Sequence, residues 1–393
     1  MKICVVHRYP LSIIESTNPS LPVFLDLLVE RGDQVTLVTY KDGGNHSLYR
    51  RLKAVPINMR YHRQNAAEVL LKSLLFVLLA PIKIRRLHKI NKFDVIYCDD
   101  SFPLYELLIK LLTGCTVLIR RGDLMCAYFL ERPGFWRQPL FKLALFIERY
   151  IWKKVDGISV ITDRFRDYLA SHGIGAGKIY VIEDSINFKK FDRTGDSSSL
   201  KRSYGISDQF IVMFHGVLMK LKDIETLVRA IPLVIREYKN IKFIILGSGE
   251  ELDRLKKLAA ELKVDNYTIF TDWIDYDTIQ SYLQICNIGV PIRKKSLANS
   301  LIITTALLQY WAAGKPVLAP KLAAIGDIVQ EDINGYLFTP GNPESLARKI
   351  LQAVNNRKSL PEMGEKGRNF AFKKYNVDTI ARKMCQFVSR EIL

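Results

Sequence analysis

Three loops of this 393-residue chain carry residue types suited to holding an anion. In the first, Phe214-His215-Gly216-Val217-Leu218-Met219-Lys220-Leu221-Lys222-Asp223, a strand-like run ends at Gly216 and Lys222 stands just before a helical pattern. A glycine at a strand end lets another group come close to the backbone, and Lys222 can reach a phosphate. In the second, Leu246-Gly247-Ser248-Gly249-Glu250-Glu251, an apolar strand is followed by two glycines and the start of a helix. Such a turn brings a ligand to a helix N-terminus, which favours negative charge. No G-K-[ST] follows, so it is not a Walker A loop. The third stretch is Ala298 to Pro320, where a helix is expected over Ile302 to Trp311, ended by Gly314 and followed by a short strand. Free N–H groups around Ile302-Ile303-Thr304-Thr305 would make its start a second anion site. Taken singly, each loop is also what an ordinary strand–loop–helix joint looks like.

These loops need a scaffold, and the rest of the chain supplies one. Strand and helix patterns alternate throughout, which predicts parallel sheets with helices on both faces. Expected strands in the first half are Lys2–Val6, Gln34–Tyr40, Phe93–Cys98, Thr116–Ile119, Gly157–Ile161 and Ile179–Ile182. Leu48 to Asn65 reads as basic and irregular, and Val69 to Ile90 as a helix interrupted at Pro81. The polar run Phe188 to Ser203 reads as a linker, after which the same rhythm restarts. This gives a first domain over residues 1–188, a linker over 189–203, a second domain over 204–374 and a terminal helical segment over 375–393. Ligands of such sheets bind at the carboxyl ends of strands, and two facing sheets put the default site in the cleft between them.

Composition narrows the class. Apolar residues make up 48% of the chain, enough for a large core. The six cysteines form no C-x-x-C pair, which suits reduced thiols in a cytoplasmic protein and neither a disulfide frame nor a zinc site. Met1-Lys2 runs straight into a strand, without the pattern of a secretory signal. The first strand has no G-x-G-x-x-G, which argues against a dinucleotide enzyme. The net charge is +18, and residues 1–190 hold 29 Lys and Arg against 18 Asp and Glu. That excess calls for an anionic partner. From Arg50 to Lys92 there are 11 basic residues and one acid, Glu68, interleaved with leucines. Basic charge beside an apolar helix suits an anionic membrane surface, as it equally suits a core helix with a solvated rim. Nucleic acid is disfavoured, because no basic strands with interleaved aromatics are present.

Read in order, the pieces are G-x-L-x-x-x-K, a strand ending G-S-G-E-E, T-D-W-I, a helix ending Q-Y-W-A-A-G-K-P-V, and N-G-Y-L-F. This order resembles the C-terminal half of the family 4 glycosyltransferases, and the likeness extends more weakly through residues 1–190. The resemblance implies the GT-B fold: two Rossmann-like domains facing across a cleft, with the last helix crossing back to the first. It also implies a retaining transfer from a nucleotide-sugar co-substrate, UDP favoured over GDP. No metal and no other cofactor are expected. The acceptor would be a lipid-linked or cell-surface saccharide at the inner membrane face, reached by a cytoplasmic, peripheral enzyme.

Carried onto this sequence, the resemblance sets Gly216, Lys222 and the amides of Thr304, Thr305, Ala306 and Leu307 at the donor diphosphate. Gly247, Ser248 and Gly249 would shape the nucleotide pocket, Trp273 and Ile274 would flank the base, and Gln309 takes the place of the glutamate that holds the ribose. Two departures stand out: Val217 occupies the position of the usual arginine, and Leu301 that of the first glutamate of the E-x7-E motif. Lys220 or Arg121 is expected to restore the lost positive charge. Arg120, Arg121 and Asp123 are the candidates on the acceptor side, with a structural ion pair as the alternative reading. A degenerate, non-catalytic protein of the same fold is the alternative for the whole chain.

Overall fold

The computed structural model describes residues 1–9, 18–41, 52–60, 66–99, 103–131, 134–192, 197–274 and 278–390; the side chains of residues 41, 58–60 and 66–71 are not among those described. The chain divides into two units. The first comprises Met1–Ser185 and Val377–Leu393, the second Ile186–Asn376.

The first unit is built on a seven-stranded parallel sheet of order β3-β2-β1-β4-β5-β6-β7. Its strands are β1 Lys2–Val6, β2 Gln34–Lys41, β3 Lys53–Arg60, β4 Val95–Cys98, β5 Thr116–Arg121, β6 Gly157–Val160 and β7 Ile179–Val181. The inner strands read as unbroken apolar runs because helices cover both faces. The helix Val377–Arg390 belongs to this unit. Its Ile380, Met384, Phe387 and Val388 share a core with Ile3, Val5, Phe24 and Tyr97.

The second unit holds a six-stranded parallel sheet of order β10-β9-β8-β11-β12-β13. These strands are β8 Phe210–His215, β9 Ile241–Leu246, β10 Thr268–Thr271, β11 Ile288–Gly289, β12 Val317–Pro320 and β13 Gly335–Phe338. In both sheets the strand order reverses beside the first strand, between β1 and β4 and between β8 and β11. Those reversals are where open α/β sheets form a crevice at their carboxyl ends.

Several expectations are corrected. Residues 53–60, read as irregular, form the edge strand β3, paired to β2. Pro56 and the lysines and arginines hide its strand pattern, and an edge strand tolerates a proline because one side of its ladder is unpaired. The helix expected to break at Pro81 runs from Ala66 to Asn91. Burial of Phe76, Val77, Ala80 and Ile84 on either side of the proline anchors both flanking turns. Within the linker, residues 197–203 are helical; residues 193–196 lie outside the described residues. The helix expected over Ile302–Trp311 begins only at Thr305 and runs to Ala312; extended backbone precedes it, and a separate short helix, Leu297–Leu301, comes before that.

Candidate functional site

The site is assembled at the carboxyl ends of β8 and β9 in the second unit. The loops that follow these strands pack backbone on backbone. Gly216 donates its N–H to the Leu246 carbonyl at 3.0 Å, Leu218 to Ser248 at 2.9 Å, and Glu251 to Leu218 at 3.2 Å. Gly247 and Gly249 lie at φ of +134° and +157°. A β-carbon on Gly247 would run into the carbonyl of Gly216, and one on Gly249 into that of Leu218. The two glycines are therefore required by the closure of one loop on the other, a reason different from the ligand approach read from sequence.

Closure of these loops fixes Lys222. Its ammonium lies over Gly216, so that a β-carbon there would stand 2.6 Å from Nζ. It also sits 5.9 Å from the centre of the Phe214 ring. No carboxylate among the described residues pairs with Lys222. Burial, and then the nearby charge of Arg293, lower its pKa to about 8. Nothing in the sequence singles out Arg293. Arg293 donates from Nη1 to Asn299 Oδ1 at 2.8 Å, and the Asn299 amide in turn donates to the Lys294 carbonyl at 2.9 Å and the Leu221 carbonyl at 3.4 Å. Lys294 N–H also donates to Leu221 O, at 3.2 Å. Segment 293–299 is thus laced to the Lys222 loop, and two cations are held close together without a carboxylate on Lys222. Like charges converge in this way where an anion is to be bound.

His215, the last residue of β8, is buried against the Tyr310 ring at 4.7 Å, and its Nε2 meets no partner. Burial and the Lys222 charge push its pKa down to about 3, so the imidazole is neutral at physiological pH. It too was missed, because a histidine at a strand end gives no signal by itself.

The remaining expected residues divide. Thr304 caps the helix Thr305–Ala312, its hydroxyl accepting from Leu307 N–H at 3.1 Å. The cap removes Leu307 as a ligand donor and leaves Thr305 and Ala306, in the first turn, with no intrahelical acceptor. Gln309 is buried, Ile274 half-buried and Trp273 exposed just before residues 275–277, which are outside the described residues. Lys220 is exposed and lines a cavity of about 380 Å³ with Met219, Asp223, Glu225, Glu251 and Arg254. Arg121 lies in the first unit, on β5. Its guanidinium is buried and donates to both oxygens of Glu106, at 2.6 and 2.5 Å. Asp123 accepts from Tyr128 OH at 3.1 Å. Arg120 pairs with Asp184 and lies 3.9 Å from Asp99. Arg121 thus forms the structural ion pair that was its alternative reading.

A second surface lies in the first unit. The helix Tyr105–Thr113 packs against both Ala66–Asn91 and Arg137–Lys154. Trp136, Leu140, Leu143, Phe146 and Tyr150 recur at helical spacing and are exposed, Phe146 to 69% and Trp136 to 61%. Leu74, Leu78 and Ile82 are exposed on Ala66–Asn91. Lys72, Lys83, Arg85, Arg86 and Lys89 flank them on one helix, and Arg137, Lys142, Arg149, Lys153 and Lys154 on the other. Among the described residues no helix is long and apolar enough to cross a membrane.

Residues 24–190 match the family described as Glycosyltransferase Family 4, and residues 196–370 the one described as Glycosyl transferases group 1. The chain belongs to the family 4 glycosyltransferases and has the GT-B fold. Among curated relatives, an uncharacterized glycosyltransferase of Methanocaldococcus jannaschii is 25% identical over 231 residues, 58% of this chain and 57% of that one. The chain therefore spans a little over half the length of that relative. The GDP-mannose-dependent alpha-(1-6)-phosphatidylinositol monomannoside mannosyltransferase of Mycobacterium tuberculosis is 22% identical over 310 residues, 78% of each chain. Among solved structures, the Anabaena protein HepE in complex with UDP superposes with a TM-score of 0.73 at 16% identity, over 99% of this chain and 100% of that one. A sucrose-phosphate synthase from Thermosynechococcus elongatus gives 0.74 at 19% identity over 98% of both.

Proposed function

We propose that this chain transfers a sugar from a nucleotide-sugar, a UDP-sugar first, to a lipid-linked or cell-surface saccharide, with retention of configuration and without a metal. The observation that carries the reading is the half-buried ammonium of Lys222, set over Gly216 beside Arg293 and without a carboxylate among the described residues. A departing nucleoside diphosphate needs its developing negative charge stabilised, and preorganised cations and helix amides do this without a strong base. Lys222, Arg293 and the Thr305 and Ala306 amides are the groups assigned to it. Arg293 takes over the charge lost at Val217. HepE was solved with UDP-glucose, which supports the uridine nucleotide, while the mycobacterial relative's name supports GDP as the competitor and a lipid-borne acceptor.

The acceptor is reached, on this reading, by docking the helices Ala66–Asn91 and Arg137–Lys154 on anionic lipid. Exposed Trp136, Leu143 and Phe146 enter the interface while the flanking lysines and arginines meet headgroups. The enzyme is then cytoplasmic and peripheral.

Calorimetric titration with UDP, GDP, UDP-glucose and GDP-mannose, on wild type and Lys222→Ala, tests the donor reading. UDP is expected to bind wild type and to lose affinity about tenfold or more in Lys222→Ala. Equal binding by both proteins removes Lys222 from the site. Leu301 in place of a carboxylate favours a non-catalytic reading. UDP-glucose bound without any turnover in the presence of membrane extract would establish that reading instead.

A further inference from the structure

Asn299 is 3% exposed and lies in the middle of the short helix Leu297–Leu301. Its backbone N–H donates to the Ser296 hydroxyl at 3.2 Å, and the Ser300 hydroxyl donates to the Ser296 carbonyl at 2.7 Å. One turn of chain therefore fixes where the side chain starts. The Asn299 amide makes contacts of opposite sense at its two ends. Oδ1 accepts from Arg293 Nη1 at 2.8 Å, while Nδ2 donates to the Lys294 carbonyl at 2.9 Å and to the Leu221 carbonyl at 3.4 Å. Turned over, the amide would set its NH₂ against a guanidinium, which only donates, and its oxygen against two carbonyls, which only accept. Its orientation is thus set by its partners.

These contacts reach two parts of the site. Leu221 precedes Lys222, so the amide is tied to the backbone that carries the ammonium. Arg293 is half-buried, and its charge is close enough to lower the Lys222 pKa. The other titratable group beside Lys222 is His215, which burial keeps neutral. Two like charges repel and would otherwise swing apart into solvent. Holding them together takes a group that binds the guanidinium without cancelling it. A carboxylate at residue 299 would neutralise Arg293 and turn an acceptor toward the Leu221 and Lys294 carbonyls. The amide is neutral, accepts on one side and donates on the other, and so meets all three partners.

We infer that Asn299 is a positioning residue: it aims the Arg293 guanidinium at the place beside Lys222 where a nucleoside diphosphate lies, and leaves both cations their charge. This rests on the donor reading above and concerns the second unit alone. Asn299 itself touches no ligand and acts through Arg293.

Calorimetric titration with UDP on wild type, Asn299→Ala, Arg293→Ala and the double variant tests this. Asn299→Ala is expected to weaken UDP binding about tenfold, because an unaimed arginine loses its charge-assisted contact. The double variant is expected to bind UDP within about twofold of Arg293→Ala alone, since the amide then has nothing to aim. Losses that multiply, as at independent sites, overturn the inference, and so does wild-type affinity in Asn299→Ala. Asn299→Asp serves where the alanine variant does not fold. It still accepts from Arg293 but neutralises it, and wild-type affinity in that protein overturns the inference too. The Lys222 titration, followed without nucleotide by lysine ¹³Cε spectra, is a readout that a merely structural role would not move. From about 8 in wild type, the midpoint is expected to rise in Asn299→Ala as it does in Arg293→Ala, because the guanidinium swings away. A midpoint equal to wild type overturns the inference. Failure of wild type to bind UDP, GDP or their sugars removes the donor reading instead, and the placement of Arg293 by Asn299 then stands or falls on that Lys222 midpoint.

Discussion

Burial and the neighbouring Arg293 hold the Lys222 ammonium to a pKa of about 8, against 10.5 for an ordinary lysine. Because the folded-state value is the lower one, the unfolded chain binds more protons between these two pH values, and stability rises with pH across that window. Below pH 8 the full cost of the charge is present. Lys222→Met is therefore expected to raise the melting temperature at pH 7, by the equivalent of about 1–3 kcal/mol, while weakening UDP binding about tenfold or more. A bound diphosphate favours the charged form, so wild-type UDP affinity is expected to fall as pH rises above about 8, and that slope to disappear in Lys222→Met. Calorimetric titration from pH 6.5 to 9.5 measures both. Arg293→Ala should also weaken UDP binding while raising the Lys222 pKa, since it removes a like charge.

Among the elements, the paired loops after β8 and β9 are fixed by backbone contacts with no room for a side chain. Gly249→Ala would set a methyl group against the Leu218 carbonyl at a φ that favours glycine. A loss of about 1–3 kcal/mol in denaturant unfolding is expected, with weaker UDP binding because Lys222 hangs from the same loop. The helix Arg137–Lys154 carries a different device. Burial raises the Glu148 carboxyl to about 7; Oε1 accepts from Cys126 N–H at 2.6 Å and Oε2 has no partner. Its folded pKa lies above the unfolded one, so the stability it contributes is present below about pH 4.5 and lost as pH rises through 7. Glu148→Gln keeps the accepting oxygen and drops the charge. Its melting temperature is expected above wild type at pH 8 and equal to it near pH 4.5.

For the whole molecule, charge and exposed apolar area occupy the same helices of the first unit. Each basic side chain near an anionic bilayer contributes about 1 kcal/mol, over roughly a Debye length. The wild-type protein is expected to sediment with anionic vesicles, weakly with neutral ones, and to be released by high salt. Changing Leu143 and Phe146 to Glu, or Arg85, Arg86 and Lys89 to Glu, should each release it and leave UDP binding by the second unit unchanged. Cosedimentation equal to wild type in both variants would remove this face from the docking surface.

The sequence by itself determined the class of fold and the two-unit plan, and it singled out the loops after β8 and β9. Apolar strand runs, glycine positions and Lys222 are local signals, set by backbone sterics and by strand and helix period. It did not disclose β3, because Pro56 and the basic residues mask an edge strand, nor the continuity of the helix through Pro81, which rests on burial of side chains around it. Only the tertiary structure decided which charges serve which purpose. Arg121 had two readings in sequence and is buried on Glu106, fifteen residues away, while Arg293 approaches Lys222 across more than seventy residues of chain. His7 and Asp99 are 92 residues apart and meet only because β1 and β4 are neighbours in the sheet. Charge pairing depends on distance and desolvation, and both are fixed by packing between elements, which no single stretch of sequence contains.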